Sequence, residues 1–514
     1  MLQGDTAQPS SHRADAHPEP VSTVVLAAGE GTRMRSATPK VLHRLAGRPL
    51  VEHAVRAAAG VDPESLVVVL GHGREAVAEH LDGLARALDR PITTAVQEEQ
   101  LGTGHAVACG LDALPPGTTG TVLVSYGDVP LLDSDTLGAL LAEHTGSGNA
   151  VTVLTAVVDD PTGYGRVLRD AHGRVTGIVE QKDATPEQAE ITEINSGVYA
   201  FDAEVLRDAL TRLSTDNAQG ELYLTDVLSI ARTDGRPVGA LVCADPWLVE
   251  GVNDRTQLAR LGAELNRRLL EGWMRAGVTI TDPGSVWLDC DVVLARDVLV
   301  EPGVQLRGGT TVGEGATIGP DTTLTGCTVH PGATVVRTHG EGAEVGPGAT
   351  VGPFAYLRPG TRLAAKGKIG TFVETKNAEI GAGTKVPHLT YVGDATIGEH
   401  TNIGAATIFV NYDGVNKHHT VVGSHARTGA DNTFVAPVRI GDGAYTAAGS
   451  TITQDVPPGA MAVARGRQRN VEGWVARRRP GTPADEAAQK ALAEEPTTNP
   501  TEDAQRRTSN GEGR

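Results

Sequence analysis

Aromatic side chains are scarce in this sequence: Phe, Tyr and Trp together make up 3% of its 514 residues. A conventional sandwich core built on large rings is therefore disfavoured. Cysteine is rare as well. Cys109, Cys243, Cys290 and Cys327 stand far apart and form no CxxC pair, which argues against a zinc site or a disulfide framework and points to a reducing, cytoplasmic setting. No apolar run approaches the roughly 20 residues that span a bilayer, so no membrane partner is expected. The first twenty residues lack the apolar core of a secretory signal. Basic charge is in deficit: 45 Lys and Arg face 63 Asp and Glu, a formal net charge of −18. Nonspecific nucleic-acid binding needs a basic face, so that class is set aside too, while a locally basic pocket for an anionic small molecule is not.

Glycine, in contrast, is abundant, at 63 residues. With few aromatics this suits tight repetitive turns, where small residues let backbones approach closely. The length allows two or three domains at about 100–200 residues each. Residues 1–20 and 476–514 are polar and read as disordered tails. From residue 21, short β-branched runs (VSTVVLAA, SLVVVLG, TVLVSYGD) alternate with helical stretches such as PLVEHAVRAAAG. This pattern predicts an α/β, Rossmann-like domain with a mainly parallel sheet over 21–253. Leu258, Leu261, Leu265 and Leu269 then fall at helical spacing, and 254–276 reads as a linker helix.

Beyond it the period changes to six. Val300, Leu306, Val312, Ile318 and Leu324 form one run, Val345, Val351, Leu357, Leu363 and Ile369 a second, and Ile397 and Ile403 repeat the step. Neither a helix nor an alternating strand repeats at six; the flat sides of a β-solenoid do, each apolar residue pointing inward. Three sides give a coil of roughly 18 residues, so 277–475 predicts on the order of ten coils of a left-handed parallel β-helix.

The first strand runs into Leu26-Ala27-Ala28-Gly29-Glu30-Gly31-Thr32-Arg33, with Pro39-Lys40 shortly after. Glycines here would let backbone N–H groups approach a phosphate, and Arg33 and Lys40 would place cations on it. A GxG turn alone is commonplace, but the whole pattern LAAGxGTRM…PK resembles the sugar-1-phosphate nucleotidylyltransferases. The resemblance extends through Gln97–Ala106, Tyr126-Gly127-Asp128-Val129-Pro130-Leu131, Gly163–Arg166, Ile178–Glu180, Glu193–Gly197, Asn217–Glu221 and Glu250–Asn253. It implies that Leu26, Ala27, Ala28, Gly29, Gln97, Gly102, Thr103, Tyr126 and Gly127 take the nucleotide, that Gly165, Glu180 and Asn195 hold an acetylated amino sugar, and that Asp128 and Asn253 bind Mg²⁺.

In the solenoid half, polar residues interrupt the repeat: LRPG at 357–360, FVETK at 372–376, HLTYVGD at 388–394, NIGA at 402–405 and NYDG at 411–414. With these insertions the chain from 21 to 475 resembles the bifunctional N-acetylglucosamine-1-phosphate uridylyltransferase/glucosamine-1-phosphate N-acetyltransferase family, whose product feeds cell-wall and glycan synthesis. The resemblance implies acetyl-CoA and UTP as co-substrates, a homotrimer joined through the β-helix, and His388 as the general base that takes a proton from the attacking amine. Arg358 and Lys376, with Tyr391 and Asn402, would hold the sugar phosphate. Asn411 and Tyr412 would line the join between sugar and thioester, and Ala405, Ala430, Ala448 and Arg465 would take acetyl-CoA. Two positions depart from the family pattern: Ala430 stands where Ser is common and Ala406 where Gly is frequent. A lost hydroxyl would weaken a cofactor hydrogen bond by about 1 kcal/mol. The alternative is a single-activity nucleotidylyltransferase whose β-helix is purely structural; it predicts a C-terminal half without a base or phosphate ligands.

Overall fold

The computed structural model describes residues 20–494. The N-terminal part is built from β1 (Val21–Ala27), β2 (Arg44–Leu45), β3 (Arg48–Pro49), α1 (Leu50–Gly60), β4 (Ser65–Leu70), α2 (Arg74–Leu88), β5 (Thr93–Val96) and α3 (Thr103–Asp112). There follow β6 (Thr121–Tyr126), α4 (Ser134–Gly146), β7 (Val151–Val157), β8 (Arg166–Arg169), β9 (Val175–Val179), α5 (Pro186–Ala189), β10 (Glu193–Asp202), α6 (Ala203–Leu210), α7 (Asp226–Thr233) and β11 (Val238–Cys243). One sheet runs in the order β11-β7-β10-β6-β1-β4-β5. β1 lies parallel to both β4 and β6, while β10 is antiparallel to β6 and β7. β1, β4, β6 and β7 are buried along almost their whole length because helices cover both faces of the sheet there. The carboxyl ends of β1 and β6 lie side by side, with the Gly127 N–H donating to Leu26 O at 2.8 Å. In open α/β sheets, ligands bind at such strand ends.

The C-terminal part is a left-handed parallel β-helix. The six-residue period marks its interior as expected: each apolar residue of the two runs, with Ile397 and Ile403, is buried. Gln305 pairs with Thr323, one eighteen-residue coil later. The coils then shorten, since Thr323 pairs with His339, and Gly340 takes an inward place against Leu324 and Cys327. One coil is long: Ala395 pairs with Thr420, the excess being the loop around Asn411–His418.

The helix α8 (Arg255–Arg275) joins the two parts, capped by the Asp254 carboxylate, which accepts from Gln257 N. Its buried Asn266 donates to Val286 O at 2.7 Å and accepts from Leu288 N at 3.0 Å, pinning the start of the solenoid. No helix among the described residues is long and apolar enough to cross a membrane. The reading of 476–514 as a disordered tail needs correcting at its start: Trp474–Arg478 and Pro483–Glu494 are helical. Proline opens the second helix, and the buried Asp485 carboxylate accepts from Gly481 N and Gln489 Nε2. Residues 495–514, like 1–19, lie outside the described residues.

Candidate active sites

A cleft of about 260 Å³ opens at the carboxyl edge of the sheet. Thr103, Tyr126, Asp128, Gly165, Glu180, Asn195 and Asn253 all line it. Arg33 and Lys40 reach the same edge from the glycine loop. The Lys40 ammonium pairs with the Asp128 carboxylate, and Arg33 Nη2 donates to Asn253 Oδ1 at 2.9 Å. Two cations thus sit on two hard oxygen donors, the ligand type that a divalent cation takes. Leu26, Ala27 and Ala28 end the buried β1, and Gly29 is exposed beyond it. Gln97 is buried, its amide donating to Gly102 O at 3.1 Å to brace that loop. The Asn195 side-chain oxygen accepts from Gly197 N and from the Tyr199 hydroxyl, both at 2.9 Å, which leaves its N–H₂ as a donor. Burial pushes the Glu180 carboxyl up, opposed by a hydrogen bond from Thr225 and reinforced by Asp183, Asp226 and Glu221. Burial also raises the Tyr126 phenol.

The second site lies on the solenoid. Arg358 and Lys376 stand on successive coils, the Arg358 N–H donating to Thr375 O at 2.9 Å, and Lys376 is in register with Gly393. Arg358 also reaches Glu374 at 2.9 Å. The Lys376 ammonium is held below the usual lysine range by the neighbouring Lys417, with burial and Arg358 adding to the effect. Like charges gathered this closely form a site for an anion. Tyr391 and Asn411 pack against Gly393, where an added Cβ would lie 2.3 Å from the Tyr391 hydroxyl. Asn411 also donates to Asp394, which takes a second bond from Asn377 at 3.0 Å. Asp413 ties the long loop together, accepting from Val415 N, Asn416 N and the His418 ring. Tyr412 is exposed at its tip.

His388 sits at the corner before Tyr391, exposed to solvent. Successive coils stack small residues over it: Ala406 N donates to His388 O, Asp431 N to Ala405 O, and Gly449 N to Ala430 O. His388, Ala405, Ala430 and Ala448 therefore form one ledge rising about 4.8 Å per coil, with the Arg465 side chain lying over Gly449. Asn402 lies round the corner from the cation cluster, bridged to Lys385 and Arg427; a single chain does not bring it to Lys376.

Residues 23–190 match the model of the MobA-like NTP transferase domain. Over 470 residues the chain is 61% identical to the bifunctional protein GlmU of Corynebacterium efficiens, covering 91% of this chain and 96% of that one. It is 64% identical to the bifunctional protein GlmU of Rhodococcus opacus, with 92% and 95% covered, and 63% identical to that of Kineococcus radiotolerans, again with 92% and 95% covered.

The chain belongs to the GlmU family. Tyr223 and Thr225 line the first cleft but escaped the sequence reading, and Tyr164, Gln219 and Glu221, inside the quoted motifs, were given no individual role there. Most lie within or beside the motifs but carry no mark separating them from loop residues. Gln100 was missed as well; its amide donates to Ala28 O at 2.9 Å and ties the glycine loop to the 97–102 loop. In the solenoid the missed residue is Lys417, whose role shows only when the long coil folds it back towards Lys376.

Proposed function

We infer that this chain makes UDP-N-acetylglucosamine in two steps: acetyl transfer from acetyl-CoA to glucosamine 1-phosphate on the solenoid, then uridylyl transfer from UTP to N-acetylglucosamine 1-phosphate in the N-terminal cleft. The reading assigns 21–253 to uridylyl transfer, 254–276 to a linker helix and 277–475 to acetyl transfer. What carries it is the pair of separate cation clusters, Arg33 with Lys40 and Arg358 with Lys376 and Lys417, each suited to the phosphate of one sugar.

In the first reaction the amine of the sugar adds to the thioester carbonyl. His388 takes the proton released from nitrogen, the C–S bond breaks and CoA leaves as its thiol. Arg358, Lys376 and Lys417 hold the sugar phosphate; Tyr391, Asn402 and Asn411 orient the sugar, and Tyr412 with the ledge Ala405, Ala430, Ala448 and Arg465 guides the acetyl-CoA. In the second reaction a phosphate oxygen of the acetylated sugar attacks the α-phosphorus of UTP and pyrophosphate leaves. No protein nucleophile is required, because the attacking oxygen is already ionised; catalysis is positioning and charge neutralisation. Gln97, Gly102 and Thr103 take the base, Leu26–Gly29, Tyr126 and Gly127 the rest of the nucleotide, and Gly165, Glu180 and Asn195 the sugar. Asp128 and Asn253 offer the carboxylate and amide oxygens that would hold Mg²⁺, and a bound Mg²⁺ would supply neutralisation of the triphosphate charge. Arg33 and Lys40 release those two oxygens and turn to the phosphates.

We place the protein in the cytoplasm as a homotrimer joined through the β-helix. Support for the trimer comes from one corner of the solenoid, where Phe354, Phe372 and Leu389 are 52%, 60% and 58% exposed. A second copy on that corner would cover them and could supply the side that carries Asn402. The test is a paired assay of purified protein, acetyl-CoA consumption with glucosamine 1-phosphate and pyrophosphate release from UTP with the acetylated sugar. His388→Ala is expected to abolish only the first activity, and Lys40→Ala to lower only the second, leaving a measurable residue of pyrophosphate release. Wild-type protein that consumes no acetyl-CoA would reduce the chain to the single-activity reading.

A further inference from the structure

The hairpin formed by β2 and β3 belongs to the α/β part, yet it leans on the first coil of the solenoid. Cys290 N donates to Ala46 O at 2.9 Å. Arg48 Nε donates to Asp291 Oδ1 at 3.2 Å, and the same guanidinium lies 3.8 Å from Glu52 on α1. At the hairpin tip Gly47 is in the left-handed region, φ +86°, and a Cβ there would lie 2.7 Å from the Asp289 carboxyl carbon. The opposite side of the hairpin is held by α8: Leu45 joins Met34, Leu50 and Leu261 in one buried cluster. The hairpin is thus clasped between linker helix and solenoid.

Lys40 lies seven residues before Gly47, on the short 3-10 turn Lys40–Leu42. That turn is tied to the hairpin at its base, His43 N donating to Lys40 O at 3.2 Å and Leu50 N to His43 O at 2.9 Å. Among the described residues the Lys40 ammonium pairs with Asp128 alone, which the uridylyl reading requires it to leave. Where the hairpin sits therefore decides where the ammonium can reach.

We propose that Asp291, on the first solenoid coil, is a positioning residue for uridylyl transfer: through Arg48 and the hairpin it sets the backbone from which Lys40 reaches the nucleotide phosphates. An exposed ion pair contributes little to stability, so its effect belongs to geometry. Misplacing a reacting group by an ångström costs far more in rate than such a pair is worth. The proposal rests on the uridylyl assignment of Lys40.

The experiment uses the full chain. Asp291→Arg is expected to lower kcat for pyrophosphate release by about threefold to tenfold, with acetyl-CoA consumption unchanged as the internal control. The charge swap Arg48→Asp with Asp291→Arg is expected to recover most of the loss. The deciding measurement is the double-mutant cycle with Lys40. Once Lys40→Ala has removed the ammonium, adding Asp291→Arg is expected to cost nothing further in pyrophosphate release. Losses that multiply, or an Asp291→Arg enzyme with wild-type kcat, would overturn the proposal. A wild-type protein that releases no pyrophosphate would instead strike the uridylyl reading itself.

Discussion

Glu180 shows how a single residue can work against the fold it belongs to. Burial and neighbouring carboxylates raise its carboxyl above the ordinary carboxylate range, and only the Thr225 hydroxyl, at 3.4 Å, opposes them. A raised folded value means the neutral form is favoured in the native state. Its stabilising contribution is complete below the unfolded carboxylate value and is lost as pH rises through the folded one. Near neutral pH an ionised Glu180 is therefore a liability in the free enzyme, and the role proposed for it is as an acceptor for sugar hydroxyls. Glu180→Gln is expected to raise the thermal midpoint near neutral pH and to leave it unchanged in acid, where the parent side chain is itself neutral. It should also raise KM for N-acetylglucosamine 1-phosphate by about ten- to hundredfold, the value of a hydrogen bond to a charged group. A variant that melts earlier at neutral pH, or binds the sugar normally, would contradict this assignment. Ala406 is a second case. As a departure from a family glycine it is only a letter; in the structure it holds φ +58°, a conformation that costs a non-glycine residue roughly 1–2 kcal/mol. It stands beside Ala405 on the ledge proposed for acetyl-CoA.

At the scale of elements, Asn266 on α8 is the joint most open to test. It satisfies one buried carbonyl and one buried N–H of the first coil from a buried position of its own. Asn266→Ala should cost about 2–4 kcal/mol, the sum of two stranded backbone groups at about 1–2 kcal/mol each, seen in chemical denaturation as an earlier midpoint. A loss under half a kcal/mol would show that the helix is not pinned there. The strands and the long helix were legible in the sequence because their periods were strong: β-branched runs before the glycine loop, leucines at helical spacing, apolar residues every sixth position. The shortened coils after Leu324 were not legible, because the inward residue there is Gly340, which leaves no apolar mark. The helix at Pro483–Glu494 was hidden by polar composition. Proline at its start, a run of Ala, Glu and Gln, and the buried Asp485 outweigh a lack of core residues. The cleft residues spread over Tyr164, Gln219, Tyr223 and Thr225 were unreadable for a different reason: they converge only after β8–β10 and the loop before α7 have folded together.

For the whole molecule the question is how much of each site one chain contains. The cleft proposed for uridylyl transfer gathers its cations, its oxygen donors and the residues proposed to hold the sugar within a single α/β body. On the solenoid, a corner separates Asn402 from Lys376 and Tyr391, and beside that corner Phe354 and Phe372 stack in the open with ring centroids 5.5 Å apart. An exposed apolar patch of this kind is a candidate surface for another copy of the chain to cover. If copies of the chain meet there, acetyl transfer depends on assembly and uridylyl transfer does not. Phe372→Asp places a charge in the covered patch, where desolvating it without a partner opposes association. The expected outcome is a monomer by sedimentation that has lost acetyl transfer by at least about tenfold, as a central aromatic anchor predicts, and retains pyrophosphate release within about twofold, as independent sites predict. A variant that stays trimeric would move the interface elsewhere on the solenoid, and a monomer that still acetylates would show that one chain holds the complete second site.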